Sequence, residues 1–229
     1  MNQKRFDHTH PYEPFLFPEA TKLIVGTLPP PRFTTKTLKD GDVDFCYGSR
    51  DGQLWPILDV IFGLQLKFET TNKAIEQRKN FLRKRKIGIC DIVARAERKK
   101  VDASDLGMQN VQLRDLLGYL KEYPNVNTLL FTGGNSKNGP EYFFRKQLKA
   151  NGLSLKVVSG VVPRIHQFDL FTFSEKPNST RTIKTISLTA PSGAANRAIG
   201  SLEDYKALKK RDPNFTTFDY RVLQYRHYF

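Results

Sequence analysis

Long apolar runs are missing from this chain, and no stretch approaches the roughly twenty residues that a membrane span requires. The first residues, Met1 to His8, hold no apolar signal core, which predicts a cytoplasmic rather than a secreted protein. Cysteine is scarce. Cys46 and Cys90 stand far apart and match no zinc spacing, so two reduced, buried thiols are expected, with no disulfide framework and no metal. No Walker loop or dinucleotide glycine fingerprint follows the first apolar run, which weighs against a nucleotide- or phosphate-binding α/β enzyme. Internal repeats and low-complexity segments are also absent. Acidic residues are in deficit, 23 against 37 Lys and Arg, giving a formal net charge of +14. A surplus of that size favours a polyanionic partner, and the clustering of the basic residues points to nucleic acid.

What is present begins with Leu23-Ile24-Val25-Gly26-Thr27-Leu28-Pro29-Pro30-Pro31. Three apolar residues that stop at a glycine read as a buried parallel strand ending in a loop, and such loops carry the ligand in open α/β sheets. Asn127 to Gly134 and Thr185 to Gly193 repeat the design. Three strands ending in small-residue loops predict an α/β protein: a three-layer α/β/α sandwich with a short, mainly parallel sheet. The 229 residues suffice for a single domain with a substantial core.

Periodicity supplies the remaining elements. The segment His8 to Pro18 is too proline-rich for a helix and is expected to lie extended, anchored by Tyr12, Phe15 and Phe17. His8 and His10 look like half of a metal site without a third ligand, so they read as surface or loop histidines. Asp51-Gly52 marks a tight turn before a short helix at Leu54 to Ile61. Asn72 to Arg85 reads as a helix with Ile75, Phe81 and Leu82 inward and Arg78, Lys79, Arg83, Lys84 and Arg85 outward. Ile87 to Val93 is a strand candidate that Asp91 interrupts, and Arg95, Arg98, Lys99 and Lys100 extend the positive charge. Leu113, Leu116, Leu117 and Leu120 share one helical face, and Glu141 to Lys149 forms another helix. Leu155 to Val162 and Phe168 to Phe173 suggest a hairpin at a sheet edge, with Pro177-Asn178-Ser179 turning into a last strand. Ser201 to Asp204 has a capping-box pattern, and Phe215, Phe218, Val222 and Tyr225 follow helical spacing.

An ordered set of motifs resembles the uracil-DNA glycosylase superfamily, most closely its deoxyinosine (hypoxanthine) branch. The set is Gly26-Thr27-Leu28-Pro29, Tyr47-Gly48 with Trp55, Asp91-Ile92-Val93 with Glu97-Arg98, and Pro191-Ser192 with Ala195-Asn196. It covers Lys22 to Ile199, with Leu155 to Arg181 as an insertion. The resemblance implies a DNA glycosylase that flips a deaminated base, uracil or hypoxanthine, and hydrolyses its glycosidic bond without metal or cofactor. DNA is the implied partner, with no obligatory protein partner. The branch carries an asparagine where this chain has Gly52, so Asp51 or Gln53 would have to replace it, or the chain keeps the fold as a nucleic-acid binder without the chemistry.

Such chemistry needs a carboxylate or amide that holds water below the sugar, and donors that face the base. Asp51 is the first candidate, followed by Gln53 and Asp91. Gly26, Thr27, Leu28, Pro29, Tyr47 and Trp55 are expected around the base. Gly134, Pro191, Ser192, Gly193 and Asn196 are expected on the DNA strand, with the residues after Pro191 able to wedge into the duplex.

Overall fold

A computed structural model describes residues 5–172 and 179–229. In chain order it contains β1 (Phe6–Thr9), β2 (Lys22–Val25), α1 (Pro31–Thr34), α2 (Leu54–Phe62), α3 (Asn72–Arg85), β3 (Ile87–Ile89) and β4 (Val93–Arg98). A 3₁₀ turn at Asp105–Gly107 leads into β5 (Met108–Leu113), α4 (Leu116–Glu122), β6 (Thr128–Phe131) and α5 (Pro140–Ala150). Then come β7 (Lys156–Ser159), β8 (Arg164–Thr172), β9 (Ser179–Ser187), a 3₁₀ turn at Gly193–Ala195, α6 (Asn196–Gly200), α7 (Glu203–Arg211) and α8 (Thr217–Arg226).

The larger sheet has six strands in the order β3-β2-β6-β9-β8-β7. The first four run parallel, and β8 and β7 add an antiparallel hairpin at the edge. The edge hairpin expected from Phe168 onward is therefore present, while Phe173, Pro177 and Asn178 lie outside the described residues. Successive strand residues point to opposite faces. Leu23, Val25, Leu129 and Phe131 pack with α4 and α5, whereas Ile24, Leu130 and Ile186 pack with α2, α3 and α8. The smaller sheet, β1-β4-β5, is antiparallel and adds Val93, Ala96 and Met108 to the α4/α5 side.

Local signals explain several element ends. Thr71 Oγ1 accepts from Ala74 N at the start of α3, and Arg83, Lys84 and Arg85 complement the dipole at its other end. The capping box sits at Thr216 and Asp219 on α8 rather than at Ser201. The Ser201 hydroxyl instead donates to Ala198 O in the preceding turn, and Leu202 precedes α7 without a side-chain cap.

Other expectations are corrected by tertiary contacts. Ile87 to Val93 is not one strand, because the chain leaves the large sheet at Cys90 and enters the small one at Val93. Leu113 ends β5 instead of joining α4. Arg78 points inward and is fully buried, its guanidinium 5.3 Å from the Trp55 ring centre and 5.0 Å from that of Phe68. Its NH1 donates to Lys67 O and Ala74 O. Arg98 is also buried, donating from Nε to His8 Nδ1. The extended N-terminal segment is pinned by β1 on β4 and by a Phe15–Ile89 bridge, and it buries both His8 and His10 instead of exposing them. Both cysteines are buried and unbridged. Among the described residues no helix is long and apolar enough to cross a membrane.

Candidate active site

From β2 the chain crosses to β3 on one side and later to β6 on the other, so the strand order reverses between β2 and β6. At such a switch point the loops leaving the carboxyl ends diverge and open a crevice. A cavity of about 270 Å³ occupies this place. Gly26 to Pro29 after β2, Asp91 after β3, Thr132 after β6 and Ala190 to Ser192 after β9 all line it. Tyr47, Ser49, Asp51 and Gly52 close it from the long loop that precedes α2.

Asp91 forms the best-anchored polar group in the cavity wall. Gly26 N donates to its Oδ1 at 3.0 Å. Tyr12 N donates to His10 Nδ1, so the His10 proton sits on Nε2 and is donated to Asp91 Oδ2 at 2.9 Å. Tyr47 lies against the same spot. Its hydroxyl hydrogen-bonds Thr132 Oγ1 at 3.0 Å, and its backbone takes the left-handed value φ 58°, a strained conformation for a residue with a Cβ. Burial, then the nearby Asp91 charge, raises the Tyr47 phenol well above its usual range, so it stays a neutral hydroxyl. Only glycine fits at position 26: an added Cβ would overlap the Tyr47 hydroxyl and stand 2.7 Å from Asp91 Oδ1.

Asp51 stands on the rim, 69% exposed, with Oδ2 3.1 Å from Arg32 NH2. The same guanidinium grips the buried Asp42 through Nε and NH2 and reaches Ser49 Oγ. Burial raises the Asp42 carboxyl, but Arg32 and the amides of Arg50 and Lys39 outweigh it and hold the group down at about 2. This network fixes the loop that carries Tyr47 to Gly52.

The turn at Gly52 is stitched to the loop after β9. Gly52 bridges Ser192, and Gln53 N donates to Pro191 O at 2.8 Å. Helix α8 holds the other side of that loop. Arg221, fully buried, donates to Ala190 O, Ser192 O and Asn196 Oδ1, Gln224 Oε1 accepts from Thr189 N, and Tyr225 Oη donates to Thr189 O.

The predicted residues thus separate. Gly26, Thr27, Leu28, Pro29, Tyr47, Asp51, Asp91, Pro191 and Ser192 share the cavity. Gln53 precedes α2, and its Oε1 is buried without a partner among the described residues. Trp55 lies in the core at 1% exposure, its indole N–H donating to Cys46 O, so it supports the loop rather than meeting a ligand. Gly134 lines an adjoining groove of about 530 Å³ with Arg164, Ser187 and Ala194. Gly193 is exposed at the 3₁₀ turn beside that groove, and the Asn196 side chain is held by Arg221 and Thr217. Asp105 and Arg221 were missed, and His10 was read as a surface or loop histidine, because the contacts that place all three come from segments distant in sequence. Arg50, Lys99, Lys100, Lys137 and Arg197 are exposed on the segments that frame the two cavities. Among the described residues no group of three or more His, Cys, Asp or Glu is placed to hold a metal ion. No protein-family model, curated protein or solved structure matches the chain.

Proposed function

We propose that this protein is a DNA glycosylase of the uracil-DNA glycosylase type, built on that family's α/β/α sandwich and acting on a deaminated base flipped from DNA. One observation carries the reading: the loops bearing the resemblance motifs converge on one cavity at the switch point of the sheet. The flipped base enters this cavity beside Tyr47. The Asp91 carboxylate, oriented by Gly26 N–H and His10, faces the sugar and stabilises the positive charge that grows on it as the glycosidic bond breaks. The basic segments around the opening receive the phosphates. Of the candidate carboxylates Asp91 is favoured over Asp51, because a buried, fixed charge acts more strongly than an exposed one already paired with Arg32.

Gly52 favours a second reading, a DNA binder without chemistry, since it offers no side chain where the resembling family has asparagine. An excision assay separates the two. Labelled duplexes carrying uracil, hypoxanthine or xanthine are incubated with the protein, and alkali reveals abasic sites. Cleavage is expected, and Asp91→Asn is expected to lower it roughly 10²-fold or more, with Asp51→Ala costing far less. Salt-sensitive DNA binding without cleavage would establish the binder instead. In that case Gly52→Asn restores cleavage, because an added Cβ lies 3.2 Å from Ser49 O and needs only a small shift of the turn. Neither cleavage nor binding would overturn both readings.

A further inference from the structure

Asp105 opens the 3₁₀ turn between β4 and β5 and belongs to the walls of both cavities. Asn138 Nδ2 donates to its backbone carbonyl at 2.9 Å, which fixes the turn. Thr27 Oγ1 donates to its Oδ1 at 2.8 Å, and its Oδ2 accepts no hydrogen bond among the described residues. The charges acting on it are Arg98 on β4 and Asp91 after β3, and Arg98 in turn meets Asp102 on the same loop and the His8 imidazole on β1. Burial, joined by the Asp91 charge, pushes the Asp105 carboxyl up to about 6 against the opposing pull of Thr27 and Arg98. His8 is pushed down to about 4 by burial and the Arg98 charge, so it stays neutral where Asp105 titrates.

Asp91 and Asp105 thus line the cavity in different surroundings, with the exposed Asp51 on its rim, and such a difference separates an acid from a charge-stabilising partner. Asp91 accepts two N–H donors, while Asp105 accepts one hydroxyl and keeps an oxygen free. We propose that Asp105 presents its carboxyl proton to the leaving base when that base is a purine. The inference rests on the glycosylase reading and adds a proton donor to it. Hypoxanthine carries ring nitrogens, N3 and N7, whose in-plane lone pairs take a proton before the bond breaks. Uracil offers only its carbonyl oxygens as acceptors, because N3 already bears a proton, and its anion is already spread over them. In the step, the bond from C1′ to the base breaks with its electron pair going to the base, and the base receives the Asp105 proton. Water adds its hydroxide to C1′, and the remaining water proton returns to Asp105 through solvent. The sum is hydrolysis, with no other co-reactant.

The test uses the whole protein and its Asp105→Asn variant, which keeps the shape of the side chain, with a thermal melt to check folding. The first readout is binding to a duplex carrying 2′-fluoro-deoxyinosine, whose fluorine blocks cleavage, divided by binding to the undamaged duplex. For the wild type this ratio is expected to be roughly tenfold larger at about pH 5.5 than at about pH 8, and flat for Asp105→Asn. The second readout is excision. The hypoxanthine rate is expected to fall as pH rises through about 6, with Asp105→Asn losing roughly 10²-fold and the pH dependence together. Uracil excision is expected to change by less than about threefold. A variant that keeps the wild-type ratio and pH profile would overturn the role of Asp105 while leaving the glycosylase reading intact. A wild type that excises neither base, yet binds with the Asp105-dependent ratio, would sink the glycosylase reading and support the contact between Asp105 and the purine.

Discussion

Replacing Gly26 by alanine tests the innermost contact of the cavity. The new Cβ would overlap the Tyr47 hydroxyl and stand 2.7 Å from Asp91 Oδ1 and 3.0 Å from Tyr47 Cζ. Tyr47 must then move, although its hydroxyl is bound to Thr132 and its backbone is already strained at φ 58°. Overpacking of this kind costs about 1–3 kcal/mol, and the lost Tyr47–Thr132 hydrogen bond adds about 1 kcal/mol. The expected destabilisation is about 2–4 kcal/mol, which for a chain of this size lowers the melting temperature by roughly 5–10 °C. Tyr47→Phe removes the overlapping hydroxyl but not the contacts to the ring and to Asp91. In that background Gly26→Ala is expected to cost about 1–2 kcal/mol less than in the wild type, a coupling that a double-mutant cycle measures by urea denaturation. Additivity within about 0.5 kcal/mol would refute the reasoning, because it would mean that Tyr47 does not press on Gly26.

Two further outcomes concern the frame around the cavity. Arg221→Met keeps the apolar stem but removes the guanidinium hydrogen bonds to Ala190 O and Ser192 O, which retain only the backbone donors Ser192 N and Ala195 N, so it is expected to cost about 1.5–3 kcal/mol. Hydrogen exchange should show faster exchange of the Ser192 and Gln53 amides, and unchanged protection there would contradict the clamp. Asp42 contributes stability at neutral pH because its folded carboxyl, at about 2, lies below its value of 3.8 in the unfolded chain. That stability, about 2 kcal/mol, is complete above pH 3.8 and is lost as pH falls through about 2. Acid titration of the unfolding midpoint for Asp42→Asn should therefore lack this part of the acid limb, and an unchanged limb would place the sensitivity elsewhere.

Local patterns determined much of this molecule. Thr71, the apolar spacing of α3 and its basic last turn set Asn72 to Arg85 as a helix from the sequence alone, since capping and periodicity act within a few residues. The apolar runs ending at Gly26 and Gly133, and the Thr/Ser-interleaved Ile186 and Leu188 before the Pro191 loop, marked the strands whose carboxyl ends meet at the cavity, because strands inside a sheet bury side chains on both faces. Tertiary structure decided the rest. Ile87 to Val93 is one apolar run, and only the pull of Asp91 toward Gly26 and His10 divides it between two sheets. Arg78 has the charge of a surface residue but shares a helical face with Ala74 and Leu82, and the faces of Trp55 and Phe68 receive its guanidinium inside. His10 meets Asp91 across 81 positions and Thr27 meets Asp105 across 78, so no window along the chain contains either pair. A residue's neighbours along the chain fix its backbone, whereas the hydrogen bonds that aim a carboxyl group into a cavity come from segments that only folding brings together.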